Sequence, residues 1–115
     1  KDAWTAYAAY AQAKLANVMH AIELAERRDA AKLVAYSLHP GVIGTKLLRQ
    51  GFGPVQGAPV EQGARTQVRL AGGETVDDPS GTYYSEGTAT PPAAAARDAK
   101  VRKDLWNASV SLAKL

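Results

Sequence analysis

Leu33-Val34-Ala35-Tyr36-Ser37-Leu38, closed at once by His39-Pro40-Gly41, decides the fold class of this 115-residue chain. Six nearly continuous apolar residues ending on a Pro-Gly turn read as a strand from Lys32 to Leu38. Such a run fits a strand covered on both faces, as in a parallel sheet, better than a hairpin strand with one face in water. On its N-terminal side, Thr5 to about Arg28 reads as one long helix, rich in alanine and free of glycine and proline. Thr5 or Asp2 caps its start. Leu15, Val18, Met19, Ile22 and Ala25 recur at helical spacing and make one apolar face.

On the other side, a short helical turn is expected from Thr45 to Arg49 and a flexible Gly/Pro segment from Gly51 to Pro59. A helix follows from Val60 to Ala71, stopped by Gly72-Gly73. Gly81 to Ser85 reads as a strand after the Asp78-Pro79-Ser80 turn, Thr88 to Pro92 as a loop, and Ala93 to about Leu112 as a last helix. The order helix, strand, helix, strand, helix predicts an α/β fold with a parallel sheet in one domain.

Composition removes several function classes. The formal charge of +3 is small, and the basic residues are scattered without interleaved aromatics, so nucleic-acid binding is not expected. Without cysteine, neither disulfide nor thiolate chemistry is available. His20 and His39 have no third partner at ligand spacing, so no metal site is expected. Asp77, Asp78 and Asp98 read as turn and helix-start residues, and Trp106 as a core or dimer contact. No run is long and apolar enough to span a bilayer, and Lys1-Asp2-Ala3-Trp4 does not open a signal peptide. A cytoplasmic location is the expectation.

Two features carry chemistry. Tyr10 and Lys14 lie four residues apart on the first helix and therefore share a face. A phenol is a poor base at neutral pH, but an ammonium one turn away stabilises the phenolate. The tyrosine can then trade a proton with an alcohol or a carbonyl oxygen. A core tyrosine beside a snorkelling surface lysine fits the same spacing. The second feature is the Pro40-Gly41 turn at the carboxyl end of the strand, where ligands bind in open parallel sheets. Unengaged backbone groups of Val42 and Ile43, with the Thr45 hydroxyl, could face a flat carboxamide there; an ordinary turn with a capping threonine fits as well.

Taken together, Tyr10-Ala11-Gln12-Ala13-Lys14-Leu15-Ala16-Asn17, the strand, and Pro40-Gly41-x-x-x-Thr45 resemble the short-chain dehydrogenase/reductase family. Leu38-His39-Pro40-Gly41-Val42 is most similar to its retinol-dehydrogenase-like branch. Gly63-Ala64-Arg65 and Gly81-Thr82-Tyr83-Tyr84 fit the later helix and strand of the same family, so the resemblance covers essentially the whole chain. It implies the C-terminal half of a Rossmann-like, doubly wound parallel sheet. It also implies an NAD(P)-dependent oxidoreductase acting on an alcohol or carbonyl compound. By resemblance, Tyr10 is the catalytic acid/base, and Lys14 stabilises its phenolate and holds the nicotinamide ribose. Pro40, Gly41, Val42, Ile43 and Thr45 line the nicotinamide of NAD or NADP. The stretch from about Lys46 to Pro59 is the substrate loop, where Leu47, Leu48 and Phe52 suit a small hydrophobic substrate. The Tyr10 helix, with its alanines from Ala8 to Ala16, is the expected homo-oligomer contact.

The glycine-rich dinucleotide turn, the cofactor selector, and the family's asparagine and serine are not in these residues. Gly51-Phe52-Gly53-Pro54 does not replace the turn, because no strand precedes it and Pro54 removes an N–H that phosphates would use. The expectation is a chain whose N-terminal half is a separate or preceding part of the same enzyme. The competing reading is a non-catalytic interaction module, or an inactive fragment, with a dehydrogenase-like shape.

Overall fold

Alanine and other strong helix formers dominate the first described segment, and it forms α1, Ala6–Arg27. Of the two candidate caps, Thr5 is the one that closes the helix start. Its hydroxyl accepts the Ala8 N–H at 3.0 Å, from an extended backbone. The computed structural model describes residues 5–43, 57–72 and 76–114. The remaining elements are β1 (Ser37–His39), α2 (Val60–Ala71), β2 (Tyr83–Ser85), β3 (Thr88–Ala89), α3 (Ala94–Arg97) and α4 (Ala99–Ala113). The α/β class is as expected. The short helix expected at Thr45–Arg49, and most of the Gly51–Pro59 segment, lie outside the described residues.

The chain divides into two compact units. The first comprises Lys1–Ser37, Pro79–Tyr83 and Pro91–Leu115. Here α3 and α4 pack on α1, and Met19, Ala21 and Ala96 form the buried apolar core. The expected single helix from Ala93 is broken at Asp98. Its carboxylate accepts the N–H groups of Lys100 and Val101 at 3.0 and 3.3 Å, so a capped new start replaces the continuous helix.

Between α1 and α4 lies a buried charge cluster. The Arg102 guanidinium, 4% exposed, donates to the Ala96 carbonyl at 2.9 Å and to Glu26 Oε2 at 2.7 Å. Its Nε faces Glu23 Oε1 at 3.4 Å, and the other Glu23 oxygen accepts from Arg27 Nε at 2.9 Å. Beside the cluster, Trp106 stacks on His20, with ring centroids 5.2 Å apart and planes 12° from parallel. The Arg27 guanidinium lies 4.6 Å from the indole centroid. His20 and Arg27 are two turns apart, roughly 10.5 Å along α1. Two turns bring both residues to one face of the helix, so both side chains meet the indole.

The second unit comprises Leu38–Asp78 and Tyr84–Thr90. Its centre is Tyr84, 1% exposed, whose hydroxyl donates to Asp78 Oδ2 at 2.7 Å while Arg69 of α2 lies over its ring. Gly63 and Thr66 are the buried positions of α2, and Val60 and Val68 face water. Thr88-Ala89, expected within a loop, instead pairs antiparallel with β2, with Tyr84 opposite Ala89 and Ser85 opposite Thr88. Glu86 (φ 49°) and Gly87 (φ 87°) make the two-residue turn, the primed geometry that suits a twisted hairpin. For glutamate the left-handed region costs about 1 kcal/mol.

The strands hydrogen-bond in the order β1-β2-β3. Gly81 N–H bonds Ala35 O, Ser37 N–H bonds Thr82 O, and Glu86 N–H bonds His39 O, so partner numbers rise together and β1 runs parallel to β2. With β3 antiparallel, the sheet is mixed. The expectation of a strand from Lys32 to Leu38 covered on both faces is corrected. The Asp29 carbonyl accepts the N–H groups of Lys32 and Leu33, and its carboxylate accepts that of Ala31, so a turn consumes these residues. Pairing begins only at Ala35, and Leu33 and Val34 are 38% and 49% exposed. Among the described residues β1 has a single strand neighbour, β2.

One buried and one exposed cation of α4 provide a test. Arg102→Met leaves Glu23 buried and short of a partner, and should lower unfolding stability by about 3 kcal/mol. Lys100→Met removes an exposed ion pair with Asp104, screened by water, and should leave stability nearly unchanged. Urea unfolding of both variants against the parent measures the difference.

Candidate active site

Tyr10 and Lys14 emerge from the N-terminal half of α1, held by the Thr5 cap and by α-helical geometry one turn apart. The Lys14 ammonium nitrogen is 5.5 Å from the centroid of the Tyr10 ring. Both side chains are solvent-accessible, Tyr10 at 44%. The sequence expectation that these two share a face is met, and the cation lies near the tyrosine ring.

Pro40, Gly41, Val42 and Ile43 belong to the second unit, directly after β1. Gly41 adopts φ +94°, which side-chain-bearing residues rarely take. Ile43 makes a parallel bridge with Ala58, and the Val42 carbonyl accepts the Ala58 N–H at 2.7 Å. The expectation of unengaged backbone groups at Val42 and Ile43 is therefore corrected for the Val42 carbonyl, which already has a partner. Thr45, Leu47, Leu48 and Phe52 lie outside the described residues.

Two residues that sequence reasoning did not place at the turn contribute to it. Gly63 of α2 lies against Ile43, and a Cβ there would meet the isoleucine Cγ1 at 2.7 Å. Glu86, in the hairpin turn, donates its N–H to the His39 carbonyl at 2.8 Å and covers Gly41 with its side chain. The available sequence signal was Gly87 between two β-forming runs, Tyr83-Tyr84-Ser85 and Thr88-Ala89-Thr90. Among the described residues no group of three or more metal-binding side chains occurs, and no helix is long and apolar enough to cross a membrane.

Comparison with known proteins decides the family. Over 113 residues, 90% of this chain, it is 34% identical to retinol dehydrogenase 12 of Homo sapiens. It is 36% identical over 119 residues to dehydrogenase/reductase SDR family member 13 of Homo sapiens, which covers 93% of this chain. A plant relative, the chloroplastic short-chain dehydrogenase TIC 32 A of Brassica napus, is 29% identical over 96% of the chain. The chain belongs to the short-chain dehydrogenase/reductase family. It spans about a third of the length of these relatives: 35%, 31% and 38% respectively. No family model and no solved structure matches the chain.

Gly63 offers a test in which two effects oppose each other. Glycine to alanine inside a helix normally gains up to about 1 kcal/mol. Here the added methyl meets a stiff, β-branched Ile43, and overpacking costs about 1–3 kcal/mol. Gly63→Ala should therefore destabilise the protein, read as a lower urea midpoint at unchanged m-value. A higher midpoint would mean that Ile43 yields freely.

Proposed function

We propose that this chain is the C-terminal part of an NAD(P)-dependent short-chain dehydrogenase/reductase that interconverts an alcohol and a carbonyl compound. The single observation that carries the proposal is the Lys14 ammonium 5.5 Å from the Tyr10 ring, on the capped helix of a chain of this family. The remainder of the enzyme, about two thirds by comparison with its relatives, supplies the dinucleotide turn and the other half of the doubly wound sheet.

The residues of this chain suit a nicotinamide cofactor. Lys14 offers a cationic donor for ribose hydroxyls, and the turn at Gly41 lies at the carboxyl end of β1, where ligands bind in open parallel sheets. When bound, the cofactor supplies the hydride chemistry. Tyr10 gives its phenolic proton to the carbonyl oxygen in reduction and takes the alcohol proton in oxidation. Lys14 stabilises the phenolate in either direction. Pro40, Gly41, Val42, Ile43 and Thr45 hold the nicotinamide side, and the region of Leu47, Leu48 and Phe52 receives the substrate. Several relatives are named retinol dehydrogenases, and a hydrophobic alcohol or carbonyl is the substrate class proposed here. Self-association through α1 and a cytoplasmic location complete the reading.

In the complete polypeptide, Tyr10→Phe should lower kcat about a thousandfold for a hydrophobic alcohol, with cofactor affinity nearly unchanged. Lys14→Ala should lower kcat and also weaken NADH or NADPH binding, followed by nicotinamide fluorescence. Full activity in the tyrosine variant would remove Tyr10 from the mechanism. A complete polypeptide that binds neither cofactor would favour the non-catalytic interaction module.

A further inference from the structure

Glu86 occupies a position whose backbone disfavours it. The first residue of a two-residue primed turn is commonly asparagine, aspartate or glycine, because φ is positive there. Glutamate at φ 49° is an exception that needs a cause. The geometry provides one. The Glu86 side chain runs over Gly41: a Cβ on that glycine would lie 3.0 Å from Glu86 Cγ, 3.1 Å from Cδ and 3.1 Å from Oε1. The backbone of Glu86 acts on the same segment, donating its N–H to the His39 carbonyl at 2.8 Å. One residue therefore holds both ends of His39-Pro40-Gly41, by a hydrogen bond on one side and by packing on the other. Gly41 is itself at φ +94°, a conformation that needs neighbours to specify it.

We propose that Glu86 is a positioning residue for the nicotinamide-side turn, fixing Pro40-Gly41 from the β2–β3 hairpin. The inference rests on the functional reading above and deepens it. Glu86 acts through Gly41, by the reach of its side chain. A side chain that ends short of Gly41 leaves the turn loose, whereas an uncharged one of equal length still covers it.

The test uses the complete polypeptide with Glu86→Gly and Glu86→Gln, measuring NADH and NADPH dissociation constants and thermal midpoints. Glycine accepts the left-handed backbone readily and has no side chain to set against Gly41. Glu86→Gly should keep or raise the thermal midpoint while weakening cofactor binding about tenfold, and Glu86→Gln should bind within about twofold of the parent. This opposite movement of stability and affinity separates positioning from a merely structural role. Parent-like affinity in Glu86→Gly overturns the assignment, as does a parallel fall of midpoint and affinity, or a Glu86→Gln variant as impaired as Glu86→Gly. If the parent polypeptide binds neither cofactor, the functional reading fails first and this assignment falls with it.

Discussion

Arg102 is the constraint on which the first unit depends. A guanidinium withdrawn from water is tolerated only when its donors are met and its charge is matched. Here the Ala96 carbonyl and the Glu26 carboxylate take two donors, and Glu23 supplies the buried countercharge 3.4 Å from an Nε that makes no hydrogen bond. These partners come from α1 and from the end of α3, so Arg102 fixes α4 against both. With a small apolar core of Met19, Ala21 and Ala96, the unit relies on directional bonds as well as on area. The helix that bears Tyr10 and Lys14 is thus anchored by its C-terminal half, while its N-terminal half is exposed.

The second unit works on a different principle. Tyr84 supplies the single fully buried large side chain among the described residues. Around it, close approach does what bulk does elsewhere: Gly63 admits Ile43, and Gly41 admits Glu86. A turn assembled from glycine contacts has little material of its own to hold it. Its shape is borrowed from α2 on one side and from the hairpin on the other.

Helices were legible in the sequence because their determinants are local. Thr5, the alanine-rich run and Arg27 bound α1 closely, and Val60–Ala71 matches its expected limits. Tyr10 and Lys14 were legible for the same reason, since four residues in a helix fix a shared face. The strands were not legible to the same degree. Leu33 and Val34 look like strand interior, yet an Asp29 turn claims the chain before them and pairing starts later. The break at Asp98 and the β3 strand depend on one capping carboxylate and one two-residue turn, signals easily outweighed by a neighbouring alanine run or proline pair. Glu86 could not be found from spacing, because its partner, Gly41, is distant in sequence.

The contact of Trp106 with His20 and Arg27 gives the molecule an intrinsic optical gauge. The chain has two tryptophans, and this one has an imidazole stacked on its ring and a cation close by. Indole emission is sensitive to both neighbours. Separation of α4 from α1 strips them away together, so loosening of the charge cluster appears as a change in the native emission spectrum, with no label added. The anchoring of the tyrosine-bearing helix is therefore open to direct observation in unmodified protein.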